Sequence, residues 1–192
     1  MTDNELIESV FTHDERAFEE LVRRYRKQVI RTCYGFVHDT SEAEDISQDV
    51  FVEVYRSLDS FRGDAEFSTW LYRISIHKSL NYLRSKKRRK IFSSLDHIAE
   101  DHDVLKVARG TSIVFDPYSG EQEDERIELL QQGIDCLPKK QRTALVLHRY
   151  DNLSHREICD VLGLSVSAVE SLIHRAKVNL RKYILHNYKE RE

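Results

Sequence analysis

One set of side chains near the middle of the chain combines an aromatic ring with cations and an amide. Its members recur at i, i+3, i+7, i+11 and i+14, as on one helix face, and are Trp70, Arg73, His77, Asn81 and Arg84. Aromatic rings stack on unpaired bases for about 1–3 kcal/mol per base, while cations hold the backbone of the strand. The set predicts a surface for single-stranded nucleic acid, although Trp70 and the nearby Phe67 also fit a hydrophobic core.

A second polar set lies near the C-terminal end, on the later of two predicted helices. Ser154 and Glu157 have the capping-box spacing, Gly163 ends the first helix, and the second starts near Val166. Opposite its apolar stripe, the second helix carries Ser167, Glu170, Ser171, His174, Arg175, Val178 and Arg181. Two helices joined in this way predict a helix-turn-helix whose second helix reads the DNA major groove. An ordinary helical hairpin has the same spacing.

The charge of the chain is unevenly distributed, which its net charge of −3 conceals. Residues 84–90 hold six basic side chains in seven positions, whereas residues 96–128 hold ten acidic side chains and three basic ones. The local field, rather than the total charge, decides whether a surface attracts a polyanion. We expect a basic DNA-binding segment, and a second hypothesis is that the acidic segment folds over it and lowers its affinity for DNA.

Hydrophobic periodicity predicts an all-α fold of two small helical domains joined by a flexible linker. The domains are expected at residues 1–90 and 121–192. Over residues 91–120 the helical period fades and Gly, Pro and Ser accumulate, which is typical of a linker. The later domain begins with a helix, turns at Leu137-Pro138, and continues into the helix-turn-helix.

Three helices are predicted in the earlier domain. The first ends between Gly35 and Thr40, the second has the capping pair Ser41 and Glu44, and Ser68 caps the third. The acidic positions of the second helix recur every four residues and are Asp45, Asp49 and Glu53. Such a stripe is either a solvated surface or a docking face for a basic partner. The third helix also has an apolar stripe, formed by Tyr72, Ile76, Leu80 and Leu83.

Composition excludes several classes of protein. No run of about 18 apolar residues and no N-terminal signal pattern occur, so we expect a soluble, cytoplasmic protein without membrane insertion. Cys33, Cys136 and Cys159 lack the spacing of a metal site or a disulfide framework. The sequence has no phosphate-binding loop, nucleophile elbow or zinc motif. We predict no enzymatic activity, no small-molecule substrate, no cofactor and no metal.

Two blocks of the sequence carry an ordered set of motifs. One runs from residue 45 to 51 and from 61 to 74, the other runs from 137 to 181, and residues 17–25 precede both. In this combination they resemble the extracytoplasmic-function (ECF) group of bacterial sigma factors. The resemblance implies that the earlier domain is sigma region 2 and the later one is sigma region 4. Such a chain binds core RNA polymerase, directs it to promoters and assists their melting.

The resemblance also implies roles for individual residues. Docking on the coiled-coil clamp of the largest polymerase subunits is expected of Asp45, Ile46, Gln48, Asp49, Val50 and Glu53. Recognition and melting of the promoter −10 element is expected of Ser60, Phe61, Arg62, Phe67, Trp70, Arg73, His77, Asn81, Arg84, Lys86, Lys87, Arg88 and Arg89. Reading of the −35 element is expected of Arg156, Ser165, Ser167, Ala168, Glu170, Ser171, His174, Arg175, Lys177 and Arg181.

The predicted recognition helix departs from the family pattern at two positions. Glu170 and Leu172 stand where many relatives have basic residues. Phosphate binding by this helix is therefore expected mainly from its other cations, which are Arg175, Lys177, Arg181 and Lys182.

One alternative function remains open, and one further partner is compatible with the family. A stand-alone helix-turn-helix repressor or activator would share the later domain, but it recognises a palindrome as a dimer, and the sequence has no heptad seam. The partners expected of a sigma factor are core RNA polymerase and promoter DNA, and an anti-sigma factor is the further one.

Overall fold

The computed structural model describes residues 1–12, 14–96 and 121–189, and α-helices make up most of these ranges. The first four are α1 (Asp3–Phe11), α2 (Glu15–Val37), α3 (Thr40–Ser57) and α4 (Phe67–Asp96). The remaining four are α5 (Glu121–Asp135), α6 (Lys139–Arg149), α7 (His155–Leu162) and α8 (Val166–Lys189). A short 3₁₀ turn, Leu58–Ser60, follows α3, and no strand occurs within the described ranges. The predicted all-α fold is confirmed.

Helix α1 was not predicted, although its start has a clear local signal. The Thr2 side chain accepts a hydrogen bond from the Glu5 backbone, and the Glu5 carboxylate accepts one from the Thr2 backbone at 2.7 Å. This reciprocal capping box satisfies two backbone donors at the helix start. Leu6 and Ile7 are buried, so α1 adds a fourth helix to the predicted three.

The structure corrects the predicted starts of two helices, α3 and α4, and agrees with the predicted end of α2. Asp39, not Ser41, caps α3, because its carboxylate accepts a hydrogen bond from the Glu42 backbone at 2.8 Å. Helix α4 begins at Phe67, so Ser68 lies inside its first turn rather than at its cap. Helix α2 ends with His38 in the left-handed conformation, at φ 58°. The prediction that this helix ends between residues 35 and 40 is confirmed.

The predicted linker is partly helical. Helix α4 continues through residue 96, six residues beyond the expected boundary, and the rest of the linker lies outside the described residues. Helix α5 begins at Glu121, as expected. The hypothesis that the acidic segment folds over the basic one concerns mainly side chains outside the described part of the chain. It therefore stays a hypothesis.

Buried apolar residues of the described ranges form one cluster within the N-terminal helices, a second that joins the two halves of the chain, and a smaller third among α5, α6 and α8. The first cluster includes Leu21, Val29, Val50, Val54 and Leu71. The second packs Phe36, Tyr72 and Ile76 against Val146, Ile158, Val169 and Ile173. The apolar stripe predicted on α4 therefore packs against the helix-turn-helix half, since Leu80 and Leu83 also contact this cluster.

Gly35 allows α2 and α6 to approach closely. A Cβ at this position would lie 2.6 Å from Cγ1 of Val146 and 3.1 Å from the Tyr150 ring. Such distances are shorter than van der Waals contact, so a larger residue would push the two helices apart. Gly35 thus lies within α2 because α6 needs the space, and not because the helix ends there.

Candidate nucleic-acid interface

The helix-turn-helix is built by α7, a short turn and α8. The Ser154 hydroxyl accepts a hydrogen bond from the Glu157 backbone at 3.3 Å, and the Glu157 carboxylate accepts one from the Ser154 backbone at 2.7 Å. These hydrogen bonds lower the pKa of the Glu157 carboxyl. Gly163 ends α7 with φ 64°, a left-handed conformation that glycine adopts without strain. The predicted helix-turn-helix and its capping box are confirmed.

Helix α8 places its apolar residues inward and its polar residues outward. Val169, Ile173 and Ala176 are buried, whereas Leu172 and Leu180 are half-buried at the edge of the core. The Ser165 hydroxyl accepts a hydrogen bond from the Ala168 backbone at 3.3 Å, which satisfies one donor at the start of α8. The outward face of the helix is therefore held in place by both packing and its first turn.

Nine of the ten residues predicted to read the −35 element are exposed, and Ala168 is half-buried. Arg175 is held along the helix, since its Nε donates to the Ser171 carbonyl at 3.1 Å. The Glu170 carboxylate lies 3.6 Å from Nδ1 of His155, which provides a cation beside this acidic side chain when the imidazole is protonated. Eight of these residues lie on α8, Ser165 lies at its start, and Arg156 lies on α7.

Three aromatic rings cluster where the loop after α3 meets the start of α4. The centroid of Phe61 lies 5.4 Å from that of Trp70 and 5.7 Å from that of Phe67. Phe67 is only 3% exposed, so in this structure it is a core residue that supports the other two rings. Phe61 and Trp70 are half-buried and keep part of their surface accessible. Ser60 and Arg62 are exposed beside them.

The predicted stripe along α4 is only partly free to bind a strand. Arg73 is exposed, but its guanidinium donates to the carbonyls of Asp160 and Val161 at 2.6 and 3.0 Å. The Asn81 amide and the His77 ring lie 3.1 Å apart on the exposed face. The remaining −10 candidates are exposed cations, and they are Arg84, Lys86, Lys87, Arg88 and Arg89. Within this group, Lys86 also pairs with the carboxylate of Glu42 on α3.

The acidic stripe of α3 is exposed at Asp45 and Asp49, and its third member, Glu53, is held by an ion pair with Lys78. Asp45, Gln48 and Asp49 are exposed, whereas Ile46 and Val50 are buried in the core. Glu53 receives a hydrogen bond from Nζ of Lys78 at 2.8 Å, and this bond lowers the pKa of its carboxyl. The two buried residues therefore position the stripe and do not contribute contact surface to it.

Sequence reasoning missed the polar contacts between the two halves. Asp151, between α6 and α7, contacts Arg31 and Thr32 of α2. The buried guanidinium of Arg142 donates to the Phe36 carbonyl and to the Asp135 carboxylate, and burial lowers its pKa. No local pattern marks the contact of Asp151 with Arg31 or that of Arg142 with the Phe36 carbonyl, because these partners lie 120 and 106 positions apart in the sequence.

Two further features of the described residues concern metals and membranes. No three His, Cys, Asp or Glu side chains of these residues are grouped closely enough to hold a metal ion. Among the helices described, none combines the length and apolar character that crossing a bilayer requires. Burial raises the pKa of the Cys33 thiol to about 11, which keeps it protonated at neutral pH.

Comparisons with known proteins match both halves of the chain. Residues 21–89 match the family model described as Sigma-70 region 2, and residues 127–180 match the model described as Sigma-70, region 4. The RNA polymerase sigma-H factor of Pseudomonas aeruginosa is 37% identical over 180 residues, which are 94% of this chain and 92% of that protein. The ECF RNA polymerase sigma-E factor of Escherichia coli K12 is 34% identical over 177 residues, which are 92% of this chain and 91% of that protein.

Solved structures show the same architecture. CnrH, solved in complex with the cytosolic domain of CnrY, is 26% identical with a TM-score of 0.63, over 94% of this chain and 95% of that chain. The sigma factor RpoE from Bartonella quintana shares the fold at 16% identity and a TM-score of 0.57, over 87% and 96%. The alternative of a stand-alone repressor or activator has no support among these relatives. The chain belongs to the sigma-70 family of RNA polymerase sigma factors, in its extracytoplasmic-function group.

Proposed function

We propose that residues 1–90 and 121–192 act as separate promoter-binding units, region 2 and region 4, when the chain is bound to core RNA polymerase. The observation that carries this proposal is the exposed polar face of α8, the second helix of the helix-turn-helix. A separate surface around α4 carries partly accessible aromatic rings and exposed cations. The family matches to residues 21–89 and 127–180 support the same division. Residues 91–120 would join the two units.

In this proposal α8 lies in the major groove of the −35 element. Ser167, Ser171 and His174 face the base edges, while Arg175, Lys177 and Arg181 contact phosphates. The major groove of B-DNA is wide enough to admit an α-helix, and each base pair presents a distinct pattern of hydrogen-bond donors and acceptors there. Glu170 repels phosphate, so its place on this face limits the affinity of the free chain.

The −10 element is assigned to the loop after α3 and to the start of α4. Phe61 and Trp70 offer rings at the edge of the core, and Arg62 and the cations of residues 84–89 surround them. Extruding a base costs a few kcal/mol, whereas a stacked ring returns about 1–3 kcal/mol. Because these terms nearly balance, melting requires the polymerase to hold the duplex in place.

Docking on the polymerase clamp is assigned to the exposed acidic stripe of α3. Asp45, Gln48 and Asp49 would make the contacts, while Ile46 and Val50 keep the stripe rigid by packing beneath it. Complementary charge speeds the encounter of two proteins and selects the correct partner. Glu53 would contribute together with its ion-pair partner Lys78.

Catalysis, in this proposal, belongs entirely to the polymerase, and this chain uses no cofactor. The chain acts in the cytoplasm, where polymerase and chromosome are found. We also propose that an anti-sigma factor binds it. The support is that CnrH, at 26% identity over 94% of this chain, was solved with the cytosolic domain of CnrY.

Run-off transcription with purified core polymerase tests the proposed function. Genomic fragments serve as templates, and the strongest promoter found is then used to compare variants. We expect the wild-type chain to stimulate initiation, and Arg175→Ala to lower the yield about tenfold, since a hydrogen bond to a charged group such as a phosphate contributes about 1.5–3 kcal/mol.

The matched control is Arg16→Ala, which removes an exposed arginine from α2, outside the proposed interfaces. It should leave the yield within about twofold of the wild type, as surface substitutions usually do. No stimulation by the wild-type chain on any template would contradict the proposed function. Equal losses in Arg175→Ala and Arg16→Ala would contradict the role of α8.

A further inference from the structure

Tyr25 of α2 joins the N-terminal helix α1 to the aromatic rings of the proposed −10 surface. Its hydroxyl donates a hydrogen bond to the Asp3 carboxylate on α1. Its ring meets that of Phe67 edge to face, with the two centroids 5.3 Å apart. The centroid of Phe67 lies in turn 5.7 Å from that of Phe61 and 5.8 Å from that of Trp70. A continuous line of contacts therefore runs from α1 to the two rings that keep accessible surface.

A second donor holds the Asp3 carboxylate in place. Nη1 of Arg24 donates to its other oxygen at 3.2 Å, and Nε of Arg24 donates to Glu20 at 2.8 Å. Leu6 and Ile7, one turn further along α1, are buried in the first hydrophobic cluster. Packing and hydrogen bonds together fix α1 on α2, so the acceptor of the Tyr25 hydroxyl has a defined position.

The Tyr25 hydroxyl contributes orientation rather than burial. Burial and, after it, the hydrogen bond to Asp3 raise the pKa of this phenol well above its ordinary value, so it stays protonated and donates. A buried phenol needs a partner, because an unpaired polar group away from water costs free energy. A phenylalanine ring would fill nearly the same space without Asp3. The hydrogen bond is therefore a constraint on where the ring points.

The direction of each ring decides whether a base can stack on its face. Tyr25 and Phe67 meet at an interplanar angle of 66°, and Phe67 and Phe61 meet at 89°. Edge contacts of this kind are specific in geometry, so a rotation of the buried Phe67 would displace the rings packed against it. A stacking surface that is rigid before DNA arrives loses little conformational entropy on binding.

We propose that Asp3 and Tyr25 are positioning residues for promoter melting, which hold Phe61 and Trp70, through Phe67, in the orientation that stacks an extruded base. This inference rests on the proposed function and deepens it, since it gives α1 a role at the −10 element. Neither positioning residue is assigned a contact with DNA. The line of contacts lies within α1, α2, the loop after α3 and α4, so it needs no residue of the helix-turn-helix half.

Trp70 reports on this line of contacts directly, because it is the only tryptophan in the sequence. Tyr25→Phe keeps the ring and removes the hydroxyl, whereas Asp3→Ala removes the acceptor. Glu8→Ala, on an exposed position of α1, is the matched control for Asp3→Ala. Quenching of tryptophan fluorescence by acrylamide measures the accessibility of the ring in the free chain. Permanganate footprinting of the −10 element measures melting by the holoenzyme.

We expect Tyr25→Phe and Asp3→Ala to raise the acrylamide quenching constant of Trp70 about twofold, because looser packing opens locally more often. Permanganate reactivity of a duplex promoter should fall about fivefold in both variants, the lower end of what stacking one base contributes. The double variant should lose no more than either single one, since both remove the same contact. Glu8→Ala should match the wild type in both measurements.

A promoter with mismatched bases over the −10 element separates positioning from a merely structural role. Its strands are already unpaired there, so both variants should initiate on it within about twofold of the wild type. A chain that had lost its fold would instead fail on both templates and lose helical circular dichroism. If Asp3→Ala misfolds in this way, Tyr25→Phe decides, because it creates no cavity and leaves α1 unchanged.

Three results with Tyr25→Phe would overturn the inference. They are an unchanged quenching constant of Trp70, unchanged melting of the duplex promoter, and losses of equal size on the duplex and mismatched templates. Failure of the proposed function is a different result, in which the wild-type chain stimulates core polymerase on neither template. That result is seen before any variant is compared.

Discussion

Asp39 shows how a single side chain decides where a helix begins. Three consecutive residues at the start of α3, Asp39, Thr40 and Ser41, have the chemistry of a cap, and Asp39 is the one that caps the helix, accepting from the Glu42 backbone at 2.8 Å. Ser41 lies two positions later, on an exposed part of the helix. The choice depends on where α2 ends, because His38 must turn the chain before α3 can start.

The cap of α3 leads to a prediction at the residue scale. Asp39→Ala should lower the free energy of unfolding by about 1 kcal/mol, the usual contribution of an N-cap side chain. Ser41→Ala should change it by less than about 0.5 kcal/mol, as is usual for exposed positions. Urea denaturation followed by circular dichroism measures both. A larger loss in Ser41→Ala than in Asp39→Ala would mean that the cap is assigned to the wrong residue.

At the scale of the element, α7 is the helix most dependent on its ends. It has eight residues, too few to be stable alone, so its capping box and its packing must hold it. Ile158 and Val161 are buried against α6 and α8. Arg73 adds a cation at its other end. Short helices fixed in this way keep the turn to α8 at a defined angle.

The α7 capping box leads to a pH-dependent prediction. Ser154→Ala should lower the free energy of unfolding by about 1 kcal/mol at neutral pH. Because the hydrogen bonds lower the pKa of Glu157, its contribution is present above the unfolded pKa and is lost as the pH falls through the folded value. The difference between variant and wild type should therefore shrink towards about pH 3. Denaturation curves at both pH values test this, and a constant difference would contradict it.

At the scale of the whole molecule, weak binding by each unit is compatible with strong binding by the complex. Two modules on one tether act on each other's sites at millimolar effective concentration when their geometry is correct. Core polymerase provides that geometry in the proposed function. The free chain, with its two halves in contact, does not.

The corresponding prediction concerns DNA binding with and without polymerase. The free chain should bind promoter duplex weakly, with an affinity that falls steeply as salt rises, because phosphate contacts release counterions. The holoenzyme should bind the same duplex strongly. Fluorescence polarisation at several salt concentrations, with a scrambled duplex as control, measures both. Tight and sequence-specific binding by the isolated chain would contradict this account.

Several features followed from the sequence alone because they depend on neighbouring residues. The all-α class, the α7 capping box, Gly163 at its end and the turn at Leu137-Pro138 all come from short-range periodicity and hydrogen bonding. The outward face of α8 followed for the same reason, since one helical turn separates its members. The sigma-factor family followed from ordered motifs.

Tertiary structure alone decided the features that depend on distant partners. The sequence predicts Phe67 and Ile46 as contact residues, but packing buries both in the structure. It also predicts Arg73 as a cation available to DNA, whereas in the structure its guanidinium donates to the Val161 carbonyl at the end of α7. The burial of Asp151 depends on Arg31, 120 residues earlier. Local propensity cannot encode such contacts, because the free energy of burying a charge depends on which chain segments surround it in space.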